Sequence, residues 1–301
     1  MTKSLLVTDA FSKDATALRK VFDDRFREPR DIRPDRFVWD YWHVPDQYTF
    51  HRTPAWEYFP TALYERFHRQ LVMWGRRVLG CHDISPPWLS YYVDGSEQSL
   101  HGDLPHGPWA FVYSLTPSTK AFRGGETMLL RPEVLDYWRG FVSERSVELR
   151  EVVDLVAPKW NRLVAFDPRV PHGVRRVEGT RDPREGRLVI HGWFVEPRPF
   201  VEGPLRRSDV VRFVEALSDV VGDVLARGVP VAGVMSVRID VAASGEVRRV
   251  ARLTDTTRTP VELESELVRL RSIVMRTARA HRFPKRREGS TVTLPLVFAR
   301  G

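Results

Sequence analysis

A single cysteine, Cys81, stands in a chain of 301 residues. It can neither close an internal disulfide nor build a thiolate metal site, and it reads as a small buried hydrophobe in a protein of a reducing compartment. Long apolar runs are missing too. No window approaches the roughly 18–20 consecutive apolar residues that a bilayer crossing needs. The opening MTKSLLVTDAFSKD has only a short apolar run before charge returns. The sequence therefore predicts no signal peptide, no membrane span and a cytoplasmic location. Lysine is scarce as well, at six of the 47 basic residues, so arginine carries the positive charge. An arginine bias of this kind arises from GC-rich coding as readily as from function.

What is present is the composition of a globular protein, 42% hydrophobic and 29% charged. Disorder, collagen and a disulfide scaffold are excluded, and the length suits one large or two modest domains. The net charge of +8 is unevenly placed. Residues 204–301 hold 18 basic against 11 acidic side chains, while residues 1–203 hold 29 against 28. Ala15, Leu18, Val21 and Phe22 have helical spacing, as do Leu63, Phe67, Leu71, Trp74 and Val78 ahead of Gly80. Between them, residues 32–58 are aromatic and irregular, which predicts a long ordered loop packed on the core.

After Pro87 the pattern turns to short strands: WLSYYV, SLHGD, WAFVYSLT, ETMLL, RLVAFDP, HGVRRVE and RLVIHGWF. Helices followed by an all-β block predict a mainly β protein with flanking helices, its core a jelly roll. The Pro- and Gly-rich stretch near residue 203 predicts a linker. Beyond it come a helix over 208–226, a hairpin turning at Ser244-Gly245, a helix over 261–281 and a closing strand TVTLPLVFAR. The expected organisation is 1–203, with helical support over 1–87 and the jelly-roll core over 88–203, then a small α+β unit over 204–301.

His101 and Asp103, two apart on an extended segment, point the same way and can reach one metal ion. An H-x-D pair alone is readily supplied by chance, and a satisfied core histidine explains it equally well. His172, opening a strand after a turn, adds a third ligand. Two imidazoles and one carboxylate leave adjacent positions open, the arrangement of non-haem Fe(II) oxygenases. Arg187 begins an otherwise apolar strand. An arginine directed into a barrel is costly unless it meets an anion, and its planar fork suits a carboxylate.

Residues 88–194 resemble the double-stranded β-helix core of Fe(II)- and 2-oxoglutarate-dependent oxygenases, the prolyl-4-hydroxylase-like branch in particular. The likeness rests on Tyr92-Val93-Asp94-Gly95 nine residues before His101, on Gly124-Gly125-Glu126-Thr127, on Leu163-Val164-Ala165-Phe166 before His172, and on Arg187 leading to Gly192-Trp193-Phe194. The resemblance implies that His101, Asp103 and His172 bind Fe(II). It implies that Arg187 meets the distal carboxylate of 2-oxoglutarate, with Tyr92 and Thr127 as secondary contacts. In that family O2 is consumed, 2-oxoglutarate leaves as succinate and CO2, and the substrate is hydroxylated. The chain departs from the branch in carrying Arg187 where relatives often have lysine, and Val189 where the arginine variant commonly has Ser or Thr. His191 and Trp193 share the strand parity of Arg187 and read as substrate-pocket residues or, for Trp193, as core. His106 reads as a pocket or a turn residue.

Residues 204–301 resemble TonB-like C-terminal domains through Ile239, Gly245 and Val247 of the hairpin, Arg282-Phe283-Pro284, and Pro295 and Phe298 of the last strand. That resemblance implies a protein-binding or scaffold module, its final strand offering a pairing edge. The leading functional expectation is a dioxygenase hydroxylating a protein or peptide side chain, proline first. The alternatives are a hydroxylase of a free amino acid or other small molecule and a non-catalytic jelly-roll binding protein. A nucleic-acid partner is disfavoured, because the excess positive charge lies outside the expected barrel.

Overall fold

A computed structural model describes residues 4–28, 30, 34, 38–103, 106–139 and 151–298. The chain opens with β1 (Leu5–Thr8) and α1 (Ala15–Phe26), then a hairpin of β2 (Asp40–Val44) and β3 (Tyr48–Pro54). The short α2 (Ala55–Tyr58) leads into α3 (Thr61–Val78) and β4 (Cys81–Ile84). Strands β5 (Trp88–Tyr92), β6 (Glu97–His101), β7 (Trp109–Ser114), β8 (Phe122–Arg123) and β9 (Thr127–Leu130) follow. After α4 (Pro132–Arg139) come β10 (Val153–Val156), β11 (Arg162–Phe166), β12 (His172–Val174), β13 (Glu178–Gly179) and β14 (Arg187–Pro197). The chain then runs through β15 (Phe200–Glu202), α5 (Arg207–Leu225), β16 (Gly233–Val241), β17 (Val247–Asp255), α6 (Glu264–Ala280) and β18 (Ser290–Phe298).

Twelve strands make one curled antiparallel sheet in the order β1-β11-β7-β14-β5-β3-β6-β12-β9-β10, with β2 on β3 and β4 on β14. This mainly β architecture, flanked by helices, is the jelly-roll class expected from the strand pattern. Alternation along each strand separates two faces. Leu89 and Tyr91 of β5, Trp109, Phe111 and Tyr113 of β7, and Leu188 and Ile190 of β14 pack outward against Leu18 and Phe22 of α1 and Phe67 and Leu71 of α3. A Cβ at Gly75 would stand 2.7 Å from the Phe194 ring, so glycine there lets α3 lie directly on β14. The other parity, Trp88 and Tyr92 with Arg187, Val189, His191 and Trp193, turns inward onto a cavity.

The aromatic stretch expected to be a loop is instead the β2–β3 hairpin, turned at Asp46, whose φ is +61°. Its alternation is hidden because Tyr41, His43 and His51 put rings on the face opposite Trp42 and Phe50. Residues 32, 33 and 35–37 of that stretch lie outside the described residues. The expected linker near residue 203 is also corrected. Only two residues separate β14 from β15, and the Arg198 N–H bonds to the Gly80 carbonyl at 2.9 Å.

The second sheet has the order β15-β18-β16-β17. Met235, Val237 and Ile239 face Phe213 and Leu217 of α5 and Val274 and Ala278 of α6 in a core of their own. The opposite parity meets the end of α3, where Ser236 Oγ donates to the Leu79 carbonyl at 2.7 Å and Arg238 to that of Arg77 at 3.1 Å. The final strand is only partly the expected edge: β16 pairs along its whole length on one side, β15 covers Thr291–Thr293 on the other, and β15 and β17 are the outer strands.

At the start of α5, Asp209 is 4% exposed and accepts from the Arg206 N–H at 3.0 Å, from Arg212 at 2.9 Å and from Arg286. Burial alone would raise its pKa, but these donors outweigh it and hold the carboxyl below the ordinary value. The folded state thus binds fewer protons here than the unfolded state. The resulting stabilisation is complete above about pH 4, the ordinary aspartate range, and is lost as pH falls through the lowered folded value. We expect Asp209→Asn to be less stable than the parent at pH 6 and to lose less on acidification to pH 3, measured by urea denaturation; equal acid losses would contradict this account.

Candidate metal centre

The antiparallel ladder sets His172, the first residue of β12, directly opposite His101, the last residue of β6. On its other side His172 pairs with Leu129 of β9. Gly173 follows because a Cβ there would stand 2.4 Å from the Gln98 carbonyl oxygen. Asp103 leaves the end of β6 and is tied to the turn before β12 by its N–H to the Pro168 carbonyl, 2.9 Å. That turn is braced in turn: Arg169 forks onto the Asp167 carboxylate at 2.9 and 2.6 Å and also donates to the Thr256 carbonyl of the second unit.

One ligand atom from each of His101, Asp103 and His172 lies within 4.8 Å of the others. The Asp103 carboxylate is 3.2 Å from His172 Nε2 and 3.6 Å from His101 Nε2. Each imidazole directs Nδ1 at a backbone carbonyl, His101 at Ser99 (2.8 Å) and His172 at Val170 (2.9 Å). This turns Nε2 of each ring toward the Asp103 carboxylate, where a metal ion would take the place of a proton. Burial lowers the His101 pKa and favours its neutral form. For Asp103 burial acts to raise the pKa, and the His172 hydrogen bond and the nearby imidazoles overcome it, keeping the group ionised. Two imidazoles and a carboxylate with no fourth protein donor among the described residues fit a divalent iron with open positions.

Arg187 is 1% exposed and lies with its guanidinium carbon 4.5 Å from the centre of the Tyr92 ring. Nη2 donates to Thr127 Oγ1 at 3.3 Å, while Nε and Nη1 are buried with no partner. A cation so placed is costly until an anion meets it, and two free donors match the two oxygens of a carboxylate. The Tyr92 hydroxyl is committed to Gln98 Oε1 at 2.9 Å. Tyr92 also presents its ring face to Arg187.

His191 is linked to Ser90 Oγ at 2.8 Å, and its pKa is pushed down to about 3, by burial first and then by the Arg187 charge. It stays neutral at physiological pH. Trp193 stacks on His106 with ring centres 4.5 Å apart, and its buried Nε1 has no partner. All nine sequence-derived residues line one cavity of about 480 Å³. Sequence reasoning missed Trp42, Tyr48, Phe50 and Arg52 on the same wall. The i, i+2, i+4 spacing of Tyr48, Phe50 and Arg52 was the available signal.

Residues 87–195 match the family model described as the 2OG-Fe(II) oxygenase superfamily. No curated protein matches the chain. Among solved structures, a Pseudomonas putida prolyl-4-hydroxylase is 18% identical, with a TM-score of 0.43 over 65% of this chain and 94% of that one. A prolyl hydroxylase from Trichoplax adhaerens, in complex with a hypoxia inducible factor peptide fragment, is 15% identical, with a TM-score of 0.43 over 64% and 84%. A 2OG-Fe(II) oxygenase family oxidoreductase from Burkholderia pseudomallei is 14% identical, with 0.41 over 63% and 84%. Similarity at this level says nothing about substrate. The domain over 87–195 supports a dioxygenase and implies Fe(II), 2-oxoglutarate and O2. The match ends before the second sheet, and nothing found supports the TonB-like likeness of residues 204–301.

Loss of one imidazole should therefore remove metal binding without unfolding the sheet. We expect His172→Ala to weaken Co(II) or Fe(II) binding by at least about 10–100-fold, the scale already attached to outer-shell partners of such ligands. Spectral titration with Co(II), beside a thermal melt of the same variant, checks this.

Proposed function

We propose that the protein is an Fe(II)- and 2-oxoglutarate-dependent hydroxylase in which His101, Asp103 and His172 hold the metal and Arg187 holds the distal carboxylate of the cosubstrate. One observation carries the reading: a two-histidine, one-aspartate cluster shares a cavity with a buried arginine that has two unpartnered donors. A metal-free jelly-roll binding protein gives that arginine no role.

When bound, iron and 2-oxoglutarate activate O2 to oxidise a C–H bond of the substrate, and 2-oxoglutarate leaves as succinate and CO2. The protein's part is placement. Arg187 and Thr127 orient the cosubstrate through its carboxylate, and the Tyr92 ring covers one face of the guanidinium so that only its edge is offered. The backbone carbonyls of Ser99 and Val170 keep both imidazoles turned to the metal position. Phe166 packs against His172 with ring centres 4.7 Å apart and shields it from water. His191, neutral at the back of the cavity, adds no second charge to compete for the cosubstrate.

The substrate reading is a protein or peptide side chain, proline first, from the prolyl-hydroxylase-like motifs around Tyr92, Gly124 and Arg187. Trp42, at the cavity and 39% exposed, with Tyr48 and Trp88 on the same wall, gives an extended peptide an aromatic surface. The cavity volume also suits a free amino acid or other small molecule, the competing class. The division at 203/204, a basic TonB-like module with a protein partner, and a cytoplasmic location belong to the same proposal. Separate cores under the two sheets support two units, with β15, just ahead of that division, already paired in the second sheet, and no helix among the described residues is long and apolar enough to cross a membrane.

The test is anaerobic titration with Fe(II) and 2-oxoglutarate, followed by the visible charge-transfer band of the chelate. The intact protein should show the band and His172→Ala should not. Arg187→Ala should weaken 2-oxoglutarate by about 1.5–3 kcal/mol, the scale of hydrogen bonds to a charged group, with iron affinity nearly unchanged. Equal loss of both ligands would remove the assigned role. Succinate release with proline peptides against free amino acids then separates the substrate classes.

A further inference from the structure

Arg52 is the second cation of the cavity, and nothing described so far uses it. Three adjacent strands, β2, β3 and β5, bring Trp42, Arg52 and Trp88 to one inward face on a diagonal. The guanidinium carbon lies 3.7 Å from the centre of the Trp42 ring system and 4.2 Å from that of Trp88. Two indoles cover it, so its hydrogen-bonding edge is the part left open. Nε is shut off from solvent and has no partner. No carboxylate among the described residues is within ion-pair distance, although Asp40 sits opposite on the ladder. Burial lowers the pKa of Arg52, and the Asp40 field only partly offsets that. Its charge is felt by both Tyr92 and His191, so it faces the same space as Arg187.

We infer that Arg52 is a specificity-determining residue that receives a carboxylate of the substrate to be oxidised. The inference rests on the proposed oxygenase reading through a charge argument. Divalent iron and Arg187 supply three positive charges, and Asp103 and dianionic 2-oxoglutarate supply three negative ones. Arg52, which Asp40 offsets only in part, adds further positive charge to the same cavity, and a monoanionic substrate balances it. A guanidinium clamped between rings presents a fixed plane, which favours a carboxylate approaching edge-on in the two-pronged geometry. Trp88, Tyr48 and Trp193 line the surrounding wall, so the body carrying that carboxylate is apolar or aromatic. The carboxylate belongs to a free acid or to a peptide C-terminus, and the same edge serves both.

Because tryptophans flank Arg52, binding is readable by quenching of intrinsic fluorescence, with no turnover required. The probes are phenylacetate against phenylacetamide, and the tripeptide Gly-Gly-Phe against its amide. Each is titrated into the full chain without ligands, and again with saturating Fe(II) and 2-oxoglutarate under anaerobic conditions. At least one acid should bind about tenfold or more tightly than its amide, and the pair that shows the preference identifies the source. Arg52→Gln should abolish the preference and Arg52→Lys should keep a reduced one. In both variants the 2-oxoglutarate chelate band should persist, which shows that the sheet is folded. Arg187→Gln should lose 2-oxoglutarate and keep the preference for acid. No acid preference in the parent, or a preference that survives Arg52→Gln and vanishes in Arg187→Gln, overturns the inference. Absence of the chelate band in the parent overturns the oxygenase reading instead, and with it the charge argument.

Discussion

The register between β6 and β12 is the constraint on which the site depends. Side chains alternate with a period of two, so a slip of one residue would turn His101 or His172 to the opposite face and leave Asp103 without partners. The ladder is protected against that slip from both sides, since β12 is clasped between β6 and β9 and Gly173 fits only where the Gln98 carbonyl passes close by. The preceding turn is held by Arg169, Asp167 and the Asp103 N–H. A three-residue strand can position a ligand because its neighbours leave it no other place.

The metal-ligand pair and the inward residues of β14 were legible as local spacings, whereas Tyr92 of β5 and Thr127 of β9 were legible only through the motifs of the family resemblance. His101 with Asp103, and Arg187 with His191 and Trp193, are local patterns. Arg52 was not legible. It lies in a stretch where rings populate both faces, and only the pairing of β3 with two other strands shows that Trp42 and Trp88 enclose it. Strand β1 escaped for a related reason. It is four residues long, and its partner β11 is more than 150 residues away, so nothing in its own composition declares a sheet. The position of β18 inside its sheet is likewise a matter of pairing, which a hairpin-helix-strand pattern leaves open.

The basic excess of the last third takes on a different meaning once its contacts are known. Arg212 and Arg286 converge on Asp209, Arg252 and Arg271 on the fully buried Asp255, and Arg282 on Glu246. Arg252, Arg271 and Arg286 are thus partly buried counter-ions of buried carboxylates, holding α5, α6 and the hairpin in place. The cavity shows the complementary economy, using few cations in a nearly neutral unit.

Strand β14 couples these regions in time as well as in space. It contributes Arg187 and His191 to the cavity wall and binds β5 and β7 on its two sides, yet it follows both of them by more than 70 residues in the chain. Until it docks, β5 and β7 present open edges and the wall holding Arg52 has nothing to face. A chain dominated by such distant pairings folds slowly and exposes sticky intermediates while it does so. Because β15 follows after two residues, closing the first sheet also delivers the first strand of the second. One segment thus commits both halves of the molecule together.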